Sequence, residues 1–191
     1  AAALGARGCA VVADDVVAID EGTGVFRATP GYPRLRLSQA AVNALSTPSH
    51  PLSMDHAAFD ESRYHLDVTR DGYVFQTTPL PLVAVYKLEV RSREHRALSS
   101  EAVLGADAVM TLVSHSFAKA LFDRTMRAHD LRVLSRLAES VRVVRVTPPD
   151  DIQRLDELCD LILEDVHTFA GVAPQSTTHA DQRRQNATAI G

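Results

Sequence analysis

The stretch Cys9-Ala10-Val11-Val12-Ala13-Asp14-Asp15-Val16-Val17-Ala18-Ile19-Asp20 sets two adjacent carboxylates inside an apolar, β-branched run. Either flank alone reads as a buried strand. An ionised Asp withdrawn from water needs a cation, a cluster of donors or a route to solvent, so the pair at the end of such a strand suggests a site. Asp is also common in strand-end turns, and spacing alone leaves both readings open.

Ahead of the pair, Ala1-Ala2-Ala3-Leu4-Gly5-Ala6-Arg7-Gly8 is a run of good helix formers without a polar cap. It reads as the second half of a helix closed at a glycine C-cap, its first half expected upstream of Ala1. It lacks the basic n-region and cleavage pattern of a secretory signal. With 191 residues, 46% of them hydrophobic, the chain can bury one sizeable core, most economically as a single domain. A net charge of -4 gives no electrostatic footprint for nucleic acid or an anionic membrane. No apolar run is long enough to span a bilayer, so a cytoplasmic location is expected. Cys9 and Cys159 fall outside any C-x-x-C spacing and read as core thiols.

After the pair, Val16 to Ile19 and Val25 to Thr29 flank Asp20-Glu21-Gly22-Thr23-Gly24, which predicts a β-hairpin. Its G-x-G lacks the third glycine of a dinucleotide fingerprint. Pro30-Gly31-Tyr32-Pro33 ends the hairpin, Arg34-Leu35-Arg36-Leu37 alternates, and Ser38 caps a helix that Thr47 to Pro51 stops. Residues 55 to 78 read as a surface loop region with one strand, Arg63 to Val68, before an Arg70-Asp71-Gly72 turn. Val83 to Val90 reads as a central strand, with Lys87 and Glu89 on a charged rim. Ser99 or Ser100 with Glu101 resembles a helix cap. Apolar stripes at Leu104, Ala108 and Leu112, at Phe117, Leu121 and Phe122, and at Leu131, Leu134, Leu137 and Ala138 read as core faces. Val141 to Val146 is a strand, and Pro148-Pro149-Asp150 opens a last helix carrying Ile152, Leu155, Leu158, Ile162 and Val166. The expected organisation is one domain over 1–168 and a disordered tail over 169–191, where little remains to bury.

Few residue types are placed for chemistry. The 8 histidines are scattered, with no i,i+4 pair beside a Glu, which argues against a zinc hydrolase. Ser114-His115-Ser116 lacks the glycines of a nucleophile elbow. Neither lysine, Lys87 nor Lys119, sits in a Gly-rich loop, so these residues contain no P-loop. Arg63 and His65 read as an ordinary solvated strand face or as substrate contacts.

The segment Leu4 to Asp20, followed by Pro30-Gly31-Tyr32-Pro33-Arg34-Leu35-Arg36-Leu37, resembles the HPr serine kinase family. It is most similar to the short bacterial HPr-kinase-like branch, in which the P-loop helix runs into an "ADDVV" strand. Pro81 to Glu89 and the helical C-terminal half fit the same branch, so the resemblance covers about residues 1 to 167. It implies an α/β P-loop kinase domain, related to phosphoenolpyruvate carboxykinase, with a mixed sheet, a β-hairpin after the Asp pair and a helical C-terminal half. The implied activity is ATP- and Mg²⁺-dependent phosphorylation of a hydroxyl on a protein or peptide acceptor, HPr or another, by a protein that can assemble into homo-oligomers. Asp14 and Asp15 would match the family's acidic pair, catalytic and metal-holding, and phosphoryl transfer needs carboxylates in both roles. Some members carry a basic residue in the segment corresponding to Ser62-Arg63-Tyr64, which makes Arg63 the implied phosphate contact; His65, two residues on, is a candidate substrate contact from its place on the strand alone. The family's Gly-rich loop with its Lys is absent; helix and strand lengths place that Lys within about three to seven residues upstream of Ala1. A second expectation, from a different class, is a non-catalytic binding module that keeps the fold for recognition.

Overall fold

The computed structural model describes residues 1–46, 54–57, 60–91, 97–117 and 119–170. They form a mixed α/β structure of several small sheets and helices. The chain divides into two compact units, Ala1–Cys159 and Asp160–Gly191.

Helix α1 (Ala2–Ala6) ends where the sequence places its glycine stop. Gly8, at φ +89°, turns the chain while its N–H bonds Gly5 O at 2.9 Å and Cys9 N–H bonds Leu4 O at 3.1 Å. That pair of bonds is a Schellman motif, and the left-handed residue it needs favours glycine. Gly5 is required for a different reason, since a Cβ there would lie 2.7 Å from the Tyr73 ring.

The predicted hairpin is present as β1 (Ala18–Glu21) and β2 (Phe26–Thr29), antiparallel and joined to the two-residue β6 (Leu80–Pro81) in the order β1-β2-β6. A second sheet has the order β3-β5-β4, from β3 (Arg34–Ser38), β4 (Met54–Ala57) and β5 (Asp60–Asp67). The surface loop expected over 55 to 78 is therefore wrong in its first half, where β5 is the middle strand of a sheet. The alternation Arg-Leu-Arg-Leu buries Leu35 and Leu37, which join Leu66, Val68, Val11, Ala2 and Tyr73 in one core cluster. Helix α2 (Gln39–Leu45) packs Val42 on the same cluster, and Ser38 Oγ accepts its capping bond from Ala41 N–H at 3.3 Å. The stop expected at Thr47 to Pro51 lies outside the described residues.

The third sheet has the order β7-β9-β8, from β7 (Ala84–Leu88), β8 (Ser99–Val103) and β9 (Arg142–Thr147). Here β9 is central, not the Val83 to Val90 run, which among the described residues pairs on one side only. The Ser99-Ser100-Glu101 segment is β8 and not a cap. Helix α3 (Gly105–His115) starts after Leu104 with no side-chain cap. Helix α3 and helix α4 (Arg124–Ser140) bury Ala108, Leu112 and Leu137 against Val143 and Phe26. Leu104, Phe117, Leu121 and Leu131 are exposed, so three of the expected stripes reach the core only in part. Helix α5 (Leu155–Ala170) follows a short 3₁₀ turn, and buries Leu158 and Cys159. Cys9 is only half-buried. The tail from residue 171 lies outside the described residues.

Lys87 and Glu89 are the charged rim the alternation predicts. They pair at 2.6 Å, and Arg145 of β9 links Glu89 at 3.3 Å to Glu101 of β8 at 3.4 Å. The hydrogen bond from Lys87 holds the Glu89 carboxyl below its ordinary range. Bonds from Thr69 do the same for Asp67, from Arg136 for Glu21, and from Arg154 for Glu157. A carboxyl depressed in the fold binds fewer protons than in the unfolded chain. Its stabilisation is complete above the unfolded value near pH 4 and lost as pH falls through the folded one. Urea midpoints are therefore expected to hold from neutral pH down to about pH 5 and to drop steadily below about pH 4. A midpoint flat from pH 6 to pH 3 would contradict this.

Candidate functional site

The turn at Gly8 sends residues 9–13 back along the second sheet, although as an extended segment with one parallel bridge and not the full strand expected. Val11 N–H bonds Val74 O, and Val11 O accepts from Gln76 N–H, both at 2.8 Å. Val12 O then accepts Gly31 N–H at 2.9 Å. A Cβ on Gly31 would stand 3.2 Å from the Ala13 Cβ, so glycine is what lets these two segments lie so close. With residues 11–13 fixed in this way, Asp14 and Asp15 fall beside the outer edge of β3.

Both carboxylates are exposed, as are Val16 and Val17 after them. The apolar flank after the pair, expected to be buried strand, is thus exposed at Val16 and Val17, and the pair keeps its route to solvent. Among the described residues, Arg36 holds it. Asp14 Oδ2 accepts the Arg36 backbone N–H at 2.9 Å, and Asp15 Oδ2 accepts from the Arg36 guanidinium. An outward N–H on an edge strand would otherwise be left to water or to another chain.

Cross-strand register places Arg34 opposite Asp67, Arg36 opposite His65 and Ser38 opposite Arg63. These six share the face of β3 and β5 that is turned away from Leu35, Leu37 and Leu66. Asp14, Asp15, Tyr32, Arg34, Arg36 and His65 line one open pocket of about 330 Å³. The Arg34 guanidinium lies over the Tyr32 ring, 5.6 Å from its centroid, within the range of a cation–π contact. Three of the four residues nominated from sequence, Asp14, Asp15 and His65, thus come together. Arg63 is exposed on the same face, one step further along β5, and does not line the pocket. Arg34, Arg36 and Tyr32 were missed as site residues. The signal for them was the polar half of the Arg-Leu-Arg-Leu alternation directly after Gly31-Tyr32-Pro33.

Two carboxylates and two guanidinium groups balance the pocket's formal charge, and the His65 imidazole lines it beside them. Among the described residues no group of three or more His, Cys, Asp or Glu is gathered as a metal cage. Were Mg²⁺ held here as in nucleotide sites, by one or two carboxylates with substrate phosphates and water completing the octahedron, Asp14 and Asp15 would supply the protein oxygens.

No family model, curated protein or solved structure matches the chain. What the site can do therefore follows from its own groups, which are paired carboxylates for a cation and a proton, and guanidinium groups with an imidazole for an anion. No helix of the described residues is long and apolar enough to cross a membrane.

Proposed function

We propose that this chain carries the acidic half of a serine kinase site of the HPr kinase type, on a P-loop kinase fold. The observation that supports it best is the gathering of Asp14, Asp15 and His65 in one open pocket with Arg34 and Arg36. In the proposed reaction an acceptor hydroxyl oxygen attacks the γ-phosphorus of ATP, and the bond to the bridging oxygen of the leaving ADP breaks. The hydroxyl proton passes to a carboxylate oxygen of the pair. Mg²⁺, when bound, neutralises charge on the phosphates. The other carboxylate orients it, and Arg34, His65 and, further along β5, Arg63 face the anionic groups. The acceptor is a protein or peptide hydroxyl, the location cytoplasmic, and self-assembly is compatible with the reading.

These 191 residues contain no G-x-x-x-x-G-K-[ST], so activity is proposed only of a protein that supplies that loop beside α1. The decisive experiment is Mg-ATP-dependent labelling of a serine acceptor by the protein of the full gene, with phosphoserine located by mass spectrometry. A gene product with an intact P-loop that neither hydrolyses ATP nor labels serine would reject the kinase and leave the binding module. The 191 residues alone are expected to bind Mg-ATP no better than millimolar, because nothing in them cradles β- and γ-phosphates. Micromolar affinity by calorimetry would overturn that expectation.

A further inference from the structure

Strand β1 begins three residues after the Asp pair, and among the described residues it pairs with β2 alone. The Gly22 N–H bond to Val25 O, at 3.1 Å, sets the phase of the antiparallel ladder. Hydrogen-bonded pairs alternate, so Asp20–Arg27 and Ala18–Thr29 exchange bonds, while the N–H and C=O groups of Ile19 and Glu21 point away from β2. The bond from Leu82 N–H to Phe26 O, at 2.8 Å on the far side of β2, fits the same phase. The open edge of β1 therefore presents Ile19 and Glu21 backbone groups as a template for one more strand.

Side chains along this edge are unusual for an open strand. Ile19 stands across from Ala28, on the same face as the Glu21–Phe26 pair, and Phe26 is buried in the core with Leu137 and Val143. Ile19 itself is 38% exposed, and Val17, two residues before it, is 40% exposed. The apolar layer under the hairpin thus reaches Val17 and Ile19, which stay partly exposed, while Glu21 on the same face is held by Arg136 of α4. Residues 16–21 carry no Lys or Pro, and their charges, Asp20 and Glu21, stand at the hairpin end of the strand, leaving Val16 to Ile19 without the usual protection of an edge. Val16 also lines the pocket that holds Asp14 and Asp15, so the edge leads directly into the candidate site.

We infer that the β1 edge is the docking strand for the acceptor, which binds as an extended peptide added to the sheet with its hydroxyl delivered to Asp14 and Asp15. This rests on the kinase reading above. Strand addition takes affinity from main-chain bonds and specificity from alternate side chains. An antiparallel peptide, the commoner pairing, puts an apolar residue opposite Ile19 and a second opposite Val17. The hydroxyl residue follows beyond these two, where the protein chain leaves β1 and bends at Asp14 and Asp15. Charge sets one end: a basic residue belongs opposite exposed Asp20.

The test uses acetyl-Lys-Lys-Val-Gln-Val-Gln-Ser-Gln-amide, its Ser→Ala version and its reversed sequence, titrated into the protein with amide hydrogen exchange read by NMR. Binding is expected to slow exchange of the Ile19 and Glu21 amides at least tenfold, leaving β9 amides unchanged. The reversed peptide should bind at least tenfold more weakly. Ile19→Pro removes an outward N–H that β2 does not use and should weaken binding at least tenfold, whereas Ile19→Ala keeps the N–H and should retain most of it. The Ser→Ala peptide and the Asp15→Asn protein should bind as before. The two claims are separated with the unaltered peptide, Mg-ATP and a protein that supplies the P-loop: binding with no phosphoserine formed leaves the edge standing and removes the kinase. No protection of Ile19 and Glu21 at millimolar peptide, or undiminished binding by Ile19→Pro, overturns the inference. Protection that appears with protein concentration and no peptide assigns the edge to a second copy and overturns it equally.

Discussion

Asp14→Asn and Asp15→Asn are each expected to lower phosphoryl transfer by about two to four orders of magnitude in the full gene product, with urea stability almost unchanged. The amide keeps the size of the carboxylate but can neither hold Mg²⁺ well nor accept the hydroxyl proton. The structure explains why the fold should tolerate the change. Both side chains are exposed, and the retained amide oxygen can still accept from Arg36, at Asp14 from its N–H and at Asp15 from its guanidinium. An exposed ion pair such as Asp15–Arg36 contributes about 0–1 kcal/mol, too little to confuse a catalytic loss with unfolding. Turnover and urea midpoint measured on the same preparations check the pair. If both variants turn over normally, Asp14 and Asp15 are a strand-end turn and the kinase reading falls.

How much of this was legible beforehand follows from the range of each signal. Local signals were read correctly. The glycine stop at Gly8, the hairpin around Gly22 and Gly24 and the Ser38 cap are set by a few adjacent residues, and each is present. Asp14, Asp15 and His65 line one pocket, although Asp15 and His65 stand 50 positions apart in the chain. Pairing partners were not legible. The most β-branched run, Val83 to Val90, reads as central, yet the middle of its sheet goes to β9, whose own run is interrupted by Arg145. Arg145 is accommodated there because Glu89 and Glu101 flank it from both neighbouring strands, a fact no window of sequence contains. The reverse error occurred at the Asp pair. Apolar flanks suggested burial, but Val16, Val17 and Ile19 lie at a sheet edge and are partly exposed, so the charge never leaves water. Stripes on α3 and α4 failed for a similar reason: period 3.6 shows that a helix has an apolar face, not whether a partner covers all of it.

Leu66→Ala is expected to cost about 2–5 kcal/mol of folding stability and to weaken the candidate site at the same time. Leu66 is the centre of the second sheet, fully buried at 0% exposure among Leu35, Leu37, Val68 and Val11. Removing its side chain forfeits the transfer energy of the lost methyl groups and leaves a cavity that β3 and β5 can close only by moving. That loss is a large fraction of the roughly 5–15 kcal/mol that keeps a domain folded. The consequence for function comes from its neighbour. His65 precedes Leu66 on β5 and stands across from Arg36, which holds both carboxylates of the pair. A collapse of β3 toward β5 would carry the Arg36 N–H away from Asp14, because only the backbone sets that bond. Urea unfolding should show the stability loss, and hydrogen exchange at the Arg36 amide should quicken at concentrations of urea where the β9 amides remain protected. Leu66→Met, which keeps the volume, should cost less than about 1.5 kcal/mol and leave the Arg36 amide slow. If Leu66→Ala lowered stability but left Arg36 exchange tracking that of β9, the site would be independent of the core beneath it, and packing would not reach the pocket.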